Sequence, residues 1–390
     1  MSIHHTDMNG HDDSAAGGDT RDSSVMFLLS ALSVGGSERK TVRLANALAT
    51  RNRRVAIAYL NGPETLRTLV DPGVATINLG RRGKFSITAL RKLAALIDER
   101  RVDTVVAVNL YPALYAGLAR AMCKRRSVRV VASVNTTAFG TRKEQLQMLL
   151  YRHVLRRVDA VAFGAECQRR LWLARYGLAR EPSRSFVLYN GVDTAEFSRA
   201  RALPAALDCP PGSRVILGTV GALRPEKAQV DLVRAVHELN SRGVNTGAII
   251  VGDGPQRPDI EQEIRRLGVE RQVCLVGEAR DVRPYLATMD VFVLPSVAVE
   301  TFSNAVLEAM AMSCPVVAAR VGGMEEMLQY GGGRIYPPGD VDALCNLLMP
   351  LIADVAARRR LGEEARAVVE QHFSFAQMLC NFERYALAPG

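Results

Sequence analysis

Cysteine is sparse and scattered. The seven residues Cys123, Cys167, Cys209, Cys274, Cys314, Cys345 and Cys380 form no C-x-x-C pair. That argues against a disulfide framework or a structural zinc site, and for a reducing compartment. Histidine is scarcer still. Of six, His4, His5 and His11 stand near the start, leaving His153, His237 and His372 for the body of the chain. A multi-histidine metal centre and a Ser-His-Asp hydrolase both lose their main ingredient. Aromatic residues make up only 6%, and neither a helix-turn-helix nor an RNA-binding signature accompanies them. A specific nucleic-acid partner is therefore not expected. Long apolar runs are missing as well. The longest uncharged stretch, Thr104 to Ala119, has 16 residues and contains Pro112, short of the ~20 that span a bilayer. Residues 1–23 have no basic start followed by an apolar core, so they do not read as a secretory signal. Rich in Asp, Gly, Ser and His, they read as a disordered tail.

What is present is an ordinary globular composition. The 390 residues are 48% hydrophobic and 23% charged, enough for two domains with sizeable cores. The net charge of +10 is unevenly spread: residues 24–193 carry +18, while the flanking segments 1–23 and 194–390 carry −4 each. Basic clusters lie at Arg51–Arg54, Arg81–Lys84, Lys124–Arg129 and Arg152–Arg157. A basic half joined to a mildly acidic half suits an anionic partner, such as a phosphorylated substrate or an anionic membrane surface.

Short apolar runs at Val25–Leu29, Val55–Leu60, Thr104–Val108, Val128–Val134, Ala160–Phe163 and Ser185–Leu188 alternate with amphipathic stretches such as Glu38–Leu48, Ile87–Ile97 and Gln145–Leu155. The rhythm pauses over 196–213, which holds Pro204, Pro210, Pro211 and Gly212. It resumes with strands at Val215–Val220, Gly247–Val251, Val273–Val276, Val291–Leu294 and Val316–Ala319, helices near 227–241, 258–267 and 303–312, and a helical region from about 340 to 370. Buried strands alternating with helices predict parallel sheets covered on both faces. The expected fold class is α/β, two tandem Rossmann-like doubly wound domains facing a cleft. The expected divisions are a tail (1–23), a first domain (24–195), a linker (196–213), a second domain (214–372) and a last helix (373–390) that crosses back to the first domain. Ligands of such sheets bind beyond the carboxyl ends of the strands.

Four segments carry chemistry. Gly35-Gly36-Ser37-Glu38-Arg39 follows a strand and opens a helix, where glycines admit a phosphate to the backbone and the helix N-terminus favours its charge. It is not the G-x-G-x-x-G fingerprint, and Arg53 and Arg54 stand where an acidic ribose ligand would be needed, so a nicotinamide dehydrogenase loses its support. Gly221 to Lys227 follows another strand and presents Arg224 and Lys227 to a diphosphate. Glu300 and Glu308 stand eight apart: Glu300 in a loop, Glu308 inside a helix capped by Thr301 or Ser303. One carboxylate can then face a sugar and the other a ribose, with free amides near Ser303 and Asn304 for phosphate; taken alone, two carboxylates on one helix edge equally serve simple solubility. Cys314 to Glu326 is a buried strand, the Gly322-Gly323 turn and an acidic helix start.

Taken in order, with Asn190-Gly191-Val192-Asp193, Phe197, Val251-Gly252-Asp253-Gly254-Pro255, Asp290 and Pro295-Ser296, these segments resemble the retaining glycosyltransferases of family 4 (group 1), which have the GT-B fold. The likeness runs over about residues 25–375. It implies a retaining, metal-independent hexosyltransferase with no cofactor, a nucleotide-diphosphate sugar as donor, and a glycan or polyprenyl-diphosphate-linked acceptor of surface polysaccharide or lipopolysaccharide biosynthesis. It implies catalytic roles for Glu300, Lys227 and Arg224, donor contacts from Gly35, Gly36, Gly252, Phe302, Ser303, Asn304, Glu308 and Glu326, and an acceptor-side role for Asn135. Such a chain is expected in the cytoplasm, peripherally on the inner face of the cytoplasmic membrane. Three positions depart from the family pattern: Ala222 where Arg is usual, Thr301 where Gly is frequent, and Asn135 where His is frequent. The alternatives are a noncatalytic sugar-nucleotide-binding subunit, or a sugar-nucleotide epimerase on the same architecture.

Overall fold

The protein is described by a computed structural model that covers residues 23–33, 35–125, 127–135, 142–178, 184–206, 215–298 and 300–387. The expected tail 1–22 and the linker residues 207–213 lie outside the described residues.

In the first domain the chain runs β1 (Ser24–Leu29), α1 (Gly36–Thr50), β2 (Arg54–Tyr59), β3 (Ala75–Asn78), α2 (Ile87–Glu99), β4 (Thr104–Val108), α3 (Leu110–Met122), β5 (Arg129–Val134), α4 (Arg142–Leu155), β6 (Ala160–Phe163), α5 (Glu166–Tyr176) and β7 (Ser185–Val187). The second comprises β8 (Val215–Val220), α6 (Gln229–Ser241), β9 (Thr246–Val251), α7 (Arg257–Leu267), β10 (Val273–Gly277), α8 (Arg283–Thr288), β11 (Val291–Leu294), α9 (Asn304–Ala311), β12 (Val316–Ala319), α10 (Met324–Leu328) and β13 (Gly333–Tyr336). Three helices close the chain: α11 (Val341–Ala353), α12 (Val355–His372) and α13 (Phe375–Ala386).

Both sheets are parallel and doubly wound, ordered β3-β2-β1-β4-β5-β6-β7 and β10-β9-β8-β11-β12-β13. The strands read as continuous apolar runs because helices cover both faces. β1, for example, is buried at every position. Several helices start where a side chain satisfies an early amide: Ser86 accepts from Ala89, Ser303 from Val306, Asp340 from Ala343 and Ser374 from Gln377.

The long helical region expected over 340–370 is divided between α11 and α12 at Asp354, which caps the second by accepting from Ala357. The last helix returns to the first domain. Met378, Leu379, Phe382 and Ala386 of α13 join Val25, Phe27 and Leu44 in one apolar cluster, and Phe382 stacks on Phe27 at 5.7 Å between ring centroids. Glu383 pairs with Arg53 at 3.2 Å.

Candidate active site between the two sheets

Asn190, Gly221 and Glu300 lie in loops past the carboxyl ends of β7, β8 and β11, whereas Asp290 stands just before β11, and the carboxyl ends of the two sheets face each other. Between them is a cleft of about 320 Å³. The first domain lines it with Arg39, Lys40 and Arg43 of α1 and with Asn190 and Gly191. The second contributes Gly221, Arg280, Arg283, Asn304 and Glu308. Volumes from about 300 Å³ upward suit small-molecule ligands. Two helix N-termini converge here: a Cβ built on Gly36 in the first turn of α1 would sit 3.4 Å from the Asn304 side-chain amide of α9. Free amides of two facing first turns, with α1 cations beside them, favour an anion.

Glu300 follows β11 and is only 5% exposed. Its carboxylate pairs with the Lys227 ammonium and accepts from the Ser296 hydroxyl at 3.0 Å. Lys227 is carried by a short 3-10 turn, Pro225–Lys227, tied to the Glu300 loop by the Val297 amide, which donates to the Glu226 carbonyl at 2.9 Å. Of the two caps considered for α9, the structure has Ser303. Glu308 lies one turn into that helix. Burial pushes its carboxyl up to about 7, against the pull of Arg43 and Arg39. Lys40 donates to the Leu188 carbonyl at 3.1 Å, and burial brings its ammonium down to about 8.

The remaining expected residues divide by placement. Gly35 and Gly36 open α1 at the cleft, as their motif suggests. Arg224 is exposed, and neither it nor Lys227 is among the residues that line the 320 Å³ cleft. The Gly252 amide donates to Gly277 at 2.8 Å, holding the ends of β9 and β10 behind the Gly221 loop. Phe302 turns its ring into a buried cluster with Tyr189 and Phe373, centroids 4.7 and 5.2 Å away. Glu326 is turned away from the cleft. Its carboxylate accepts from the Glu166 amide at 2.7 Å, from the Cys167 amide and from the Tyr189 hydroxyl at 3.0 Å. It therefore caps a first-domain helix rather than reaching a donor. Gly322, at φ +59, and Gly323 form the floor under the Glu300–Thr301 backbone, which a Cβ on Gly322 would strike.

Asn135 follows β5, with its side-chain amide 3.4 Å from the Asn109 side-chain oxygen. Asn109 holds φ 73 and ψ 171, a region costly for a residue with a Cβ. Sequence reasoning did not single out Arg43, Lys40, Asn109 or Arg280. Their i+3 and i+4 spacing on the α1 motif helix was the signal available for Lys40 and Arg43. Among the described residues no three His, Cys, Asp or Glu side chains are grouped so as to hold a metal ion, and no helix is long and apolar enough to cross a membrane.

Residues 34–196 match the family model described as Glycosyltransferase Family 4, and residues 214–354 match Glycosyl transferases group 1. The chain is 30% identical over 296 residues to a GDP-mannose-dependent alpha-(1-6)-phosphatidylinositol monomannoside mannosyltransferase of Mycolicibacterium smegmatis, an alignment covering 72% of this chain and 75% of that one. It is 31% identical over 172 residues to the N-acetyl-alpha-D-glucosaminyl L-malate synthase of Bacillus anthracis, but that match spans 44% of this chain and 45% of the relative. In three dimensions it is similar to a glycosyltransferase of Rickettsia africae, with TM-score 0.79, 18% identity, and 93% and 98% of the two chains covered. It is also similar to Anabaena Alr3699/HepE in complex with UDP, with TM-score 0.78, 20% identity and the same coverage.

Proposed function

We propose, since the chain belongs to the group 1, family 4 glycosyltransferases, that it moves a hexosyl group from a nucleotide-diphosphate sugar to a glycan or lipid-linked acceptor with retention of configuration and without a metal ion. The observation that carries this reading is the pairing of the half-buried Lys227 with the buried Glu300, set beside two facing helix N-termini. A diphosphate at those amides takes Lys227 as its counter-charge, which leaves Glu300 to accept hydrogen bonds from donor-sugar hydroxyls. Glu308 lies one helical turn deeper, where it bonds the ribose.

In the reaction the acceptor hydroxyl oxygen attacks the anomeric carbon from the face the diphosphate leaves. The bond from that carbon to the phosphate oxygen breaks, and its electron pair goes to the nucleotide diphosphate. The acceptor proton passes to a phosphate oxygen. Lys227 and the amides at Ser303 and Asn304 stabilise the charge that grows on the leaving group. They do this with fixed groups, so no metal is needed, and chelator is expected to leave the rate unchanged. Asn135, a neutral amide, orients the acceptor but takes no proton.

Two of the relatives carry acceptors in their names, a phosphatidylinositol mannoside and L-malate. The +18 charge of residues 24–193 favours the lipid-linked class and the inner face of the cytoplasmic membrane, where each Lys or Arg near the surface contributes about 1 kcal/mol. A role in surface polysaccharide or lipopolysaccharide assembly follows from that acceptor class. The test is nucleotide release from a panel of UDP-, GDP- and ADP-sugars, with and without membrane lipid extract. Release from one donor that is stimulated by lipid and lost in Lys227→Ala supports the reading. Binding of a donor without turnover under any acceptor would favour a noncatalytic binding subunit. Vesicle co-sedimentation that fails to distinguish anionic from neutral lipid would remove the membrane surface from the scheme.

A further inference from the structure

The loop that carries Glu300 belongs to the second domain, yet much of what holds it comes from the first. The Thr301 hydroxyl donates to the Asn135 carbonyl at 3.3 Å. The Asn190 side-chain amide donates to the Phe302 carbonyl at 2.8 Å. A Cβ on Gly164, at the end of β6, would lie 2.8 Å from the Thr301 methyl, closer than real Cβ contacts allow. On the opposite side the loop has no room to retreat: the Gly323 amide donates to the Thr301 carbonyl at 2.9 Å, and a Cβ on Gly323 would strike that same carbonyl. The first-domain surface is itself stiff. The Gln168 side chain is fully buried, accepts from the Gly164 amide at 2.8 Å and donates to the Val134 carbonyl at 3.2 Å. It thereby ties together the strand ends that bear Gly164 and Asn135.

We propose that Thr301 is a positioning residue, a wedge between Gly164 of the first domain and the Gly322–Gly323 turn of the second, through which the acceptor-side domain sets the place of Glu300. This rests on the transferase reading above. One departure from the family pattern, Thr301, then takes a role of its own, holding the main-chain carbonyl of Asn135. Thr301 cannot yield by rotating its side chain, because moving the methyl away from Gly164 takes the hydroxyl off the Asn135 carbonyl. Anything that separates the domains, or alters the Gly164 surface, shifts the carboxylate that meets the donor sugar. Nucleotide affinity, supplied by α9 and the Gly221 loop, is left in place. A misplacement of about 1 Å at a reacting centre lowers turnover by up to about 100-fold.

The test is a small set of variants assayed for kcat, donor KM, nucleotide-diphosphate Kd by calorimetry, and Tm. Gly164→Ala is expected to lower kcat at least tenfold with Kd changed less than threefold. Thr301→Ser removes the methyl, keeps the hydroxyl and, with the wedge loosened, is expected to lower kcat severalfold at unchanged Kd. In the double variant, Thr301→Ser raises kcat from the Gly164→Ala value back to that of Thr301→Ser alone. Thr301→Val keeps the shape and loses the hydroxyl bond, and is expected to lower kcat severalfold at unchanged Kd. It keeps the proposal testable if Gly164→Ala fails to fold. A Gly164→Ala enzyme with wild-type kcat, a folded double variant without rescue, or a Thr301→Val enzyme indistinguishable from wild type would each overturn the wedge. If the wild-type chain turns over no donor, the transferase reading falls and takes the wedge with it; a working wild type confines any failure to the wedge.

Discussion

The two domains share one architecture and divide the chemistry unequally. The first carries most of the charge, +18 over residues 24–193 against −4 over 194–390, yet much of that charge is spent on the surface. Arg125 pairs with Asp103 at 3.2 Å, both side chains exposed. Exposed pairs of this kind contribute less than about 1 kcal/mol. The second domain is acidic overall but holds the buried carboxylate of Glu300, paired with the half-buried Lys227, and the raised carboxyl of Glu308. What the first domain offers the cleft is selective: three α1 side chains, Arg39, Lys40 and Arg43, and the neutral amide of Asn190. Net charge therefore marks where an anion is drawn in, and buried geometry marks where it is handled.

That contrast is broken most severely at the pair itself. Lys227→Ala is expected to lower turnover about 10³-fold, since removal of one preorganised charge-stabilising group costs roughly 3–4 kcal/mol, and steady-state nucleotide release measures it. Glu300→Gln should fall by a similar factor while still binding nucleotide. The link between the domains gives the next largest effect. Phe382→Ala empties the stacked position on Phe27 and should cost about 3–4 kcal/mol in urea denaturation.

A third test concerns the buried carboxyl. Glu308 has a folded value of about 7 against an ordinary 4.5. Its contribution to stability is therefore full below about pH 4.5 and lost as pH rises through about 7, a decline of ~3 kcal/mol. In Glu308→Gln that part of the decline between pH 4.5 and 7 should vanish from denaturation midpoints, and above pH 7 the variant should be the more stable protein. The smallest effect is expected on the basic side. Arg39 lines the cleft, and Arg39→Ala should raise donor KM about tenfold, close to 1.4 kcal/mol, with kcat nearly unchanged and a weaker dependence on salt.

Much of the fold was legible because a buried parallel strand writes itself as an unbroken apolar run. β1, β4, β8 and β11 were read nearly to their ends for that reason. The edge strands β3 and β13 were not recognised: Ala75–Asn78 and Gly333–Tyr336 include polar, half-exposed positions, as edges do. α3 was missed for the opposite reason. Leu110–Met122 is apolar around most of its circumference and carries Pro112 in its first turn, so no amphipathic stripe stands out. At the site, Glu300, Lys227, Ser303 and Glu308 were singled out by their place after a strand, and the structure pairs Lys227 with Glu300 and makes Ser303 the cap of α9. That Glu326 accepts from first-domain amides was not legible, because an acidic residue at a helix start looks the same in sequence whichever domain it faces.

The sequence by itself determined the local elements, their alternation and the motif order, because strand burial, helix caps and glycine turns act over a few residues. It thereby determined the family and two sheets with chemistry at their carboxyl ends. Only the tertiary structure decided which of those ends meet. The approach of Gly164 to Thr301, of Asn190 to Phe302 and of Glu326 to the first turn of α5 joins residues 112 to 160 positions apart. No local propensity encodes such contacts; they arise when two separately folded sheets close on each other and each buried carbonyl and carboxylate takes the donor that the other domain brings.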